Sequence, residues 1–401
     1  MTNKLYYQDS HLTACVSRVL SCVPGKGGFD VLLDQTVLFP TGGGQQCDLG
    51  TVGDANVLDC REAGADVVHT LDKAVTEGTE VAVSLNWERR FDYMQQHTGE
   101  HLLSFAFYTL FSAANVGFHL ADGYTTIDFD KPLTHDQLTE AEGLANSYVW
   151  RNLPVTATLY PDEAAIRDLP LRKHAEGLTA PIRVVQVEDA DCCTCCAPHC
   201  KTTGEVGSIF ITDAASYKGG TRITFLCGKR ALQNARLTHD RLDAIARRFS
   251  ASREQAVDAV NKMGDELTAS RHKERDYAKE LNGYVAAELL SQGEKAGKRT
   301  VVTRLFDHMD SQCLKDLAQL TVKGKDTLAL LMSKQGDKLA YVLAESEGFP
   351  VDVSELMPAV NAALNGKGGG RGTLAQGMAQ KCDGAGEALL QIHGYFLQRL
   401  K

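Results

Sequence analysis

Apolar and polar residues alternate along the first 88 residues in short runs, which are separated by glycine and aspartate turns. Residues 29–34 and 80–85 show the pattern most clearly, because valine and leucine dominate both runs. Runs of this length and composition, bounded by turn residues, are typical of β-strands. The pattern therefore predicts a β-barrel-like domain over residues 1–88, with a glycine-rich loop at residues 42–44.

In the next segment, residues 89–230, the apolar residues have helical spacing in some stretches and strand-like spacing in others. Helical spacing of apolar residues recurs in three stretches, at 91–112, 134–152 and 161–168. Two runs of strand character, 182–187 and 206–212, flank a loop that is rich in cysteine. This mixture predicts an α+β domain.

Residues 231–292 have a helical pattern amid many charges. A break is expected at residues 250–252, since Ser252 and Gln255 have the spacing of a capping box. Two helices that form a hairpin or a coiled coil fit this pattern, and a charged helical spacer fits it equally well. A homodimer through this segment is compatible with the first interpretation.

Strand-type runs return beyond residue 292 and alternate with helical segments, which predicts a compact α/β domain over residues 293–401. The predicted fold class is therefore an α+β multidomain protein. Its four parts are a β-barrel-like domain (1–88), an α+β domain (89–230), a helical, coiled-coil-like linker (231–292) and a C-terminal α/β domain (293–401).

Composition narrows the class of protein. The 401 residues include no apolar run close to the length of a membrane span, and the N-terminus lacks the apolar core of a secretory signal, so we expect a soluble cytoplasmic protein. The net charge of −9 argues against indiscriminate binding of nucleic acid. A nucleic-acid partner would need a local basic face, for which the candidates are Arg89, Arg90, Lys218, Arg222, Lys229 and Arg230.

Two pairs of residues carry the chemistry of metal ligands. His97 and His101 are four residues apart in a predicted helix, so both imidazoles fall on one face. Cys195 and His199 have the same spacing, but Pro198 places them in a loop. Three imidazoles and one thiolate make a complete tetrahedral set for one Zn²⁺ per chain.

The cysteine cluster leaves a second interpretation open. Five cysteines lie within nine residues, and such crowding in a reducing compartment indicates metal binding sooner than disulfides. They are Cys192, Cys193, Cys195, Cys196 and Cys200. A purely structural zinc site within this cluster and His199, without His97 and His101, has compatible spacing.

Four motifs in order resemble one family. They are Gly42-Gly43-Gly44-Gln45, Gln96-His97-Thr98-Gly99-Glu100-His101, the loop from Cys195 to His199 with Thr203-Gly204-Glu205 after it, and Lys367-Gly368-Gly369-Gly370-Arg371. In this order they are similar to the editing and C-terminal domains of alanyl-tRNA synthetase. With no synthetase portion before them, the chain resembles the long form of the free-standing alanyl-tRNA editing proteins, the AlaX group.

The resemblance implies a hydrolase that removes serine, with glycine as a second candidate, from mischarged tRNA for alanine. It implies His97, His101, Cys195 and His199 as zinc ligands and Thr36 as the residue that reads the seryl hydroxyl. Gln96 would contact the substrate, and Glu100 or a substrate hydroxyl would serve as base. Backbone at Gly42, Gly43 and Gly44 would approach the terminal adenosine, and Lys367 and Arg371, on a glycine turn, would meet tRNA phosphates.

The loop departs from the usual family pattern, since Cys196, Ala197 and Pro198 stand where the family has Gly-Gly-Thr. This leaves open which cysteine binds the metal, and whether the cation polarises the ester or anchors the aminoacyl group. Two other classes also remain. Residues 97–101 match the HxxEH pattern of zinc metallopeptidases, and a non-catalytic, zinc-stabilised tRNA-binding protein would use the same ligands.

Overall fold

A computed structural model describes residues 1–173 and 180–401. The chain divides into two compact units, Met1–Ala244 and Ile245–Lys401. The first two predicted domains lie together within the first unit. The division into four domains stays a prediction.

The N-terminal part of the first unit is a closed barrel. The strands up to this point are β1 (Asn3–Lys4), β2 (Ala14–Gly25), β3 (Gly28–Leu33), β4 (Gln35–Thr36), β5 (Gly50–Val52), β6 (Ala55–Ala63), β7 (Asp66–Leu71) and β8 (Glu80–Leu85). Six of them close in the order β2-β3-β7-β6-β5-β8, with all neighbours antiparallel. Alternate residues such as Val31, Leu33 and Val83 fill the interior, as the period of two requires. The remaining pair, β1 and β4, runs parallel.

A long helix and two sheets complete this unit. The elements are α1 (Trp87–Phe111), β9 (Asn115–Ala121), β10 (Tyr124–Phe129), α2 (His135–Arg151), β11 (Val155–Tyr160), β12 (Ile182–Val187), β13 (Cys192–Thr194), β14 (Ile209–Tyr217), β15 (Gly220–Cys227) and α3 (Gly228–Arg248). One sheet has the order β14-β15-β10-β9 and the other β11-β12-β13. Helix α1 begins where the Asn86 side chain accepts a hydrogen bond from the Arg89 backbone N–H.

Two of the predicted elements in this unit are wrong in part. The predicted helix at 161–168 is only a 3₁₀ turn at Ala164–Ile166. The predicted strand at 206–212 begins at Ile209, because a 3₁₀ turn occupies Thr203–Val206. The strand at 182–187 is confirmed by β12.

The second unit is a six-stranded sheet with helices on both faces. Its elements are α4 (Ala256–Gln292), β16 (Glu294–Ala296), β17 (Arg299–Asp307), α5 (Ser311–Thr321), β18 (Thr327–Gln335), β19 (Lys338–Glu345), α6 (Val353–Leu364), β20 (Gly366–Arg371), β21 (Leu374–Ala379) and α7 (Ala385–Arg399). The strand order is β16-β17-β18-β19-β21-β20, and only β17 and β18 pair in parallel. Strand β18 alternates, since Leu330 packs towards α6 and α7 while Leu331 packs towards α4 and α5.

The predicted helical segment ends at residue 292, as α4 does. Ala286 and Leu289 near that end are buried in one core with α5. One prediction for this region needs correction. The predicted glycine turn at 366–371 is the edge strand β20. Added side chains at Gly368 and Gly370 would overlap β21, so these glycines permit strand pairing. None of the helices in the described residues is both long enough and apolar enough to cross a membrane.

A buried ion pair ties α1 to the barrel. Arg90 and Asp48 have no exposed surface, and the Arg90 guanidinium also donates to the backbone carbonyls of Val37 (2.6 Å) and Ser10 (2.9 Å). Asp48 accepts a further hydrogen bond from the backbone N–H of Phe39 at 2.7 Å. Arg90 therefore has a structural role and is lost from the predicted basic face.

The other cations of the predicted basic face are mostly neutralised. Four pairs join them to carboxylates, namely Arg89 with Asp122, Arg222 with Asp128, Lys229 with Glu88 and Arg230 with Asp92. The Lys218 ammonium instead lies 5.1 Å from the ring centroid of Tyr217. The predicted face is thus a set of ion pairs rather than a free basic surface.

Removal of the Asp48 carboxylate should destabilise the first unit strongly. Asp48→Ala leaves the buried Arg90 guanidinium without its counter-charge, which costs about 3–5 kcal/mol. The measurement is urea unfolding monitored by circular dichroism. Asp54→Ala serves as the control, because it removes an exposed ion pair with Lys73 and should change stability little. Equal, small effects of both substitutions would contradict the structural role of Arg90.

Candidate metal and substrate site

Two distant parts of the chain converge on one point. His97 and His101 come from α1, and Cys195 and His199 come from the loop after β13. Their ligand atoms all lie within 4.8 Å of one another. The Cys195 sulfur is 3.5 Å from Nε2 of His97 and 3.3 Å from Nε2 of His199. The structure thus brings together all four residues that the sequence proposed as ligands.

Two of the imidazoles are oriented by neutral oxygen atoms. Nδ1 of His97 lies 2.9 Å from Oε1 of Gln45, and Nδ1 of His199 lies 3.1 Å from Oγ1 of Thr98. Each oxygen can accept a hydrogen bond from Nδ1, which leaves Nε2 as the lone-pair atom directed at the common point. The Thr98 hydroxyl also accepts from the backbone N–H of Cys200 at 3.1 Å. Both rings are therefore held in the tautomer that a metal ligand needs.

The third imidazole is oriented by a buried carboxylate. Nδ1 of His101 lies 2.9 Å from Oδ2 of Asp191, which has no exposed surface. Nε of Arg172 donates to the other oxygen of Asp191 at 2.6 Å. Burial alone would raise the pKa of Asp191, but hydrogen bonds from His101 and Arg172 hold it well below its usual range. Asp191 therefore stays ionised and fixes His101 as metal-bound histidines are commonly fixed.

The charges around the two nearby thiols differ. Burial would raise the pKa of the Cys195 thiol, but attraction to His97, together with hydrogen bonds from the neighbouring imidazoles, outweighs it and lowers that pKa well below its usual value. Burial raises the pKa of Cys193 to about 11, so this thiol stays protonated at neutral pH. The thiolate that a metal requires is thus available at Cys195.

A second group of possible ligands, His101, Asp191 and Cys193, lies beside the first. The Arg172 guanidinium already lies within it, with one nitrogen 3.9 Å from the Cys193 sulfur and another bonded to Asp191. A cation there would be repelled by this arginine at close range. The second group is better explained as the support of His101 than as a second metal site.

The four-residue group fits a tetrahedral cation. Ligand atoms of a zinc site with bonds of about 2.0–2.3 Å lie roughly 3.3–3.8 Å apart, and the contacts of the Cys195 sulfur fall in that range. Burial lowers the pKa of His199 to about 3, which keeps this imidazole neutral and able to coordinate. The alternative site within the cysteine cluster, without His97 and His101, is not supported by this geometry.

An open cavity of about 950 Å³ adjoins the four ligands, and His97, His101 and Cys195 form part of its wall. Glu100 lines it as well, with Oε1 accepting a hydrogen bond from the Asn115 side-chain amide at 2.6 Å and another from the Ser104 hydroxyl. Its second oxygen lies 3.8 Å from Nε2 of His101. A carboxylate is thus held beside the metal ligands and open to a substrate.

The glycine loop positions Gln45 and borders the cavity at one residue. Gly42 and Gln45 exchange two backbone hydrogen bonds of 3.0 Å, so the loop is a tight turn that directs Gln45 to His97. Gly43 lines the cavity with φ of 59°, and a Cβ there would lie 3.2 Å from the Cys196 sulfur. Gly44 has φ of 80° and packs against the Phe118 backbone. Of the three glycines proposed to approach the substrate, Gly43 lines the cavity, whereas Gly42 and Gly44 do not.

Two residues proposed from the resemblance lie elsewhere. Thr36 is fully buried, and its hydroxyl bonds to Nε2 of His69 at 2.9 Å and accepts from the Leu38 backbone N–H. Gln96 is also fully buried, and its amide exchanges hydrogen bonds with the backbone of Cys227, which joins α1 to β15. Neither residue lines the cavity in the described structure. Both have structural contacts, so we leave them out of the proposed substrate contacts.

The remaining predicted residues lie in the second unit. Lys367 and Arg371 are exposed on the edge strand β20, on the same side of the strand because they are four residues apart. Residues that sequence reasoning missed as site residues are the supports of the imidazoles, Gln45, Thr98 and Asp191. All three lie in or next to the motifs along the sequence. The sequence does not indicate which histidine ring each of them contacts.

The chain is similar to known proteins over nearly its whole length. Residues 182–224 match the family of the threonyl and alanyl tRNA synthetase second additional domain. The alanyl-tRNA editing protein Aarsd1 of Rattus norvegicus is 30% identical over 96% of this chain and 97% of its own. The alanyl-tRNA editing protein AlaX-L of Pyrococcus horikoshii is 29% identical over 95% of each chain. The alanine–tRNA ligase of Pyrococcus abyssi is 26% identical over 98% of this chain but only 43% of its own.

The match over residues 182–224 places the chain among proteins that carry a threonyl and alanyl tRNA synthetase second additional domain. Within that class, the chain belongs to the family of alanyl-tRNA editing proteins, which are aminoacyl-tRNA deacylases. The family resemblance inferred from the four motifs is confirmed.

Loss of the Asp191 charge should weaken metal binding. Asp191→Asn keeps the size of the side chain but removes the carboxylate that orients His101, so the affinity for Zn²⁺ should fall about 10- to 100-fold. Competition with a chromophoric chelator measures this affinity. Asp189→Asn is the matched control, because Asp189 is exposed and pairs with the surface residue Arg151. Unchanged affinity in a folded Asp191→Asn protein would contradict the orienting role.

Proposed function

We propose that this chain removes serine, and glycine as a second candidate, from mischarged tRNA for alanine by hydrolysis of the aminoacyl ester, with one Zn²⁺ per chain. The observation that carries this proposal is the convergence of His97, His101, Cys195 and His199 on one point, with His97, His101 and Cys195 forming part of a cavity wall. Relatives that match nearly the full length are named alanyl-tRNA editing proteins. Three imidazoles and a thiolate support zinc as the cation.

The chemistry of amino-acid selection explains the need for such an activity. A synthetase pocket built for a methyl group discriminates only about 10²-fold against a side chain that adds a hydroxyl. A second site that hydrogen-bonds this hydroxyl can reject the analogue without it by about 10⁴ or more. An editing site of this kind would clear seryl-tRNA and spare alanyl-tRNA.

His97, His101, Cys195 and His199 would hold the zinc ion. When bound, it would supply positive charge that polarises the ester carbonyl or anchors the aminoacyl group, and four protein ligands favour anchoring. Gln45, Thr98 and Asp191 keep the three imidazoles in place.

Glu100 is the proposed base. Its carboxylate lines the cavity and is held by Ser104 and Asn115, so one oxygen is fixed while the other faces the region of the ligands. Glu100 would take a proton from a water molecule whose oxygen bonds to the ester carbonyl carbon. The bond between that carbon and the ribose oxygen then breaks, and the oxygen takes up a proton. The products are the free amino acid and a tRNA with a free terminal hydroxyl.

Binding of tRNA away from the ester would involve Lys367 and Arg371. Their Cα atoms are four residues apart on a strand, a separation of roughly 13 Å, and Gly369 between them offers bare backbone. Cations with this spacing suit contacts to phosphates of one RNA strand, which position the RNA without reading its sequence. Formation of a homodimer stays a prediction.

The alternative of a metallopeptidase fits less well. Enzymes with the HxxEH pattern need a carboxylate as third protein ligand, whereas the four-residue group here contains Cys195 and His199 instead. A binding protein without activity would not need a carboxylate such as Glu100 held open to the cavity. The geometry therefore favours ester hydrolysis.

The test is to incubate the pure protein with seryl-, glycyl- and alanyl-tRNA for alanine and to follow loss of the ester. We expect the seryl ester to be cleaved and the alanyl ester to be spared. Intact seryl ester at high enzyme concentration would refute the proposed function. Equal loss of the alanyl ester would refute its selectivity.

The role of Glu100 has its own test. Glu100→Gln should lower kcat for seryl-tRNA about 10²- to 10⁴-fold, because the amide cannot accept the proton. KM and zinc content should stay the same. Glu140→Gln, an exposed change on α2, is the control and should have full activity. Full activity of Glu100→Gln would instead assign the base to a hydroxyl of the substrate.

A further inference from the structure

The cavity is larger than an amino acid needs. Its volume of about 950 Å³ is near the upper end of the roughly 300–1,000 Å³ that hold a drug-sized ligand. The metal ligands and Glu100 account for only part of its wall. Another part is formed by the N-terminal segment, with Lys4 and Tyr7, and by Arg183 of β12. None of these three residues belongs to the four-residue metal group.

Two cations lie close to the Tyr7 ring. The Lys4 ammonium lies 5.7 Å from the ring centroid, and the Arg183 guanidinium carbon lies 5.4 Å from it. The ring is half-buried, and the buried Tyr6 packs edge-on against it at 4.8 Å. Tyr6 packs in turn against Phe39 at 5.4 Å. The Tyr7 ring is therefore held by a rigid aromatic cluster while part of it faces the cavity.

Arg183 connects this part of the wall to the metal loop. Its side chain is only 8% exposed, and one guanidinium nitrogen donates to the backbone carbonyls of Cys195 (2.9 Å) and Ala197 (2.8 Å). Its Nε is buried without a hydrogen-bond partner among the described residues. Lys4 is bonded to Glu62 at 2.6 Å, which also lines the cavity. This part of the cavity wall thus has the aromatic ring of Tyr7, the hydrogen-bond donors of Lys4 and Arg183, and the acceptor Glu62. Arg183 links it to the loop that carries Cys195.

We propose that Tyr7, with Lys4 and Arg183 beside it, forms the subsite for the 3′-terminal nucleoside of the RNA, whose base stacks on the Tyr7 ring. The proposal rests on the function proposed above, because that nucleoside carries the ester. Aromatic rings flanked by cations recur where proteins bind single-stranded RNA, since every base has a π-face and every nucleotide a negative charge. Serine and glycine, the amino acids of the proposed substrates, have no aromatic face that could stack on this ring.

The proposed subsite and the metal site have different roles in binding. Tyr7 contributes contact area to the terminal base and no ligand to the cation. Loss of its ring should therefore weaken binding of the RNA end and leave the metal content unchanged. Stacking should be retained by any aromatic residue of similar size.

The experiment uses the full chain and the trinucleotide CCA with free terminal hydroxyls, titrated by NMR or calorimetry. Tyr7→Ala should weaken binding of the trinucleotide roughly 5- to 150-fold, which is the range for loss of one stacked base. Tyr7→Phe and Tyr7→Trp should bind it as the unaltered protein does. Tyr108→Ala, on an exposed position of α1, is the matched control and should have no effect.

A second probe lacks the terminal base but keeps the sugar. The unaltered protein should bind this abasic trinucleotide more weakly than CCA, and Tyr7→Ala should not distinguish the two. This comparison on the unaltered protein decides the proposal even if Tyr7→Ala fails to fold. Equal affinity of the unaltered protein for both trinucleotides, or equal binding of CCA by folded Tyr7→Ala, overturns it.

The two proposals fail in different ways. Binding of the trinucleotide needs no hydrolysis, so stacking on Tyr7 can be demonstrated in a protein that leaves seryl-tRNA intact. Conversely, cleavage of seryl-tRNA with an unchanged KM in Tyr7→Ala would support the proposed function and contradict the subsite.

Discussion

The first unit is organised around the meeting of one helix and one loop. Two histidines on α1 and a cysteine and a histidine after β13 present four donor atoms within 4.8 Å. Such closeness of buried imidazoles and a thiolate is costly without a cation to balance it. Each imidazole has its own oxygen acceptor, from Gln45, Thr98 or Asp191. These three acceptors direct all three rings to the point where a cation would be bound.

Many buried polar contacts of the first unit fix the positions of α1 and of the loop that carries Cys195 and His199. The Arg90–Asp48 pair fixes α1 against the barrel, and the amide of Gln96 fixes it against β15. Arg183 holds the carbonyls of the ligand loop, and Arg172 holds Asp191 behind His101. Several polar residues near the motifs are therefore supports, whereas Glu100 lines the cavity.

The two pairs of candidate metal ligands could be recognised from the sequence, because a spacing of four residues places His97 and His101 on one face of a helix. The structure brings these two residues together with Cys195 and His199. Alternation of apolar residues likewise predicted strands such as β12. Burial was harder to predict. Thr36, Gln96 and Arg90 were assigned to substrate or surface, yet tertiary hydrogen bonds bury all three. The glycine run of β20 has the composition of a turn, but pairing with β21 makes it a strand.

X-ray absorption spectroscopy of the zinc-loaded protein tests the central claim most directly. The account predicts one zinc ion per chain with three nitrogen ligands at about 2.0–2.1 Å and one sulfur ligand at about 2.3 Å. The Cys195→Ser protein should lose the sulfur contribution, whereas Cys193→Ser should keep it. Two or more sulfur ligands, or a sulfur contribution that survives Cys195→Ser, would show that the cation lies within the cysteine cluster and would contradict the account.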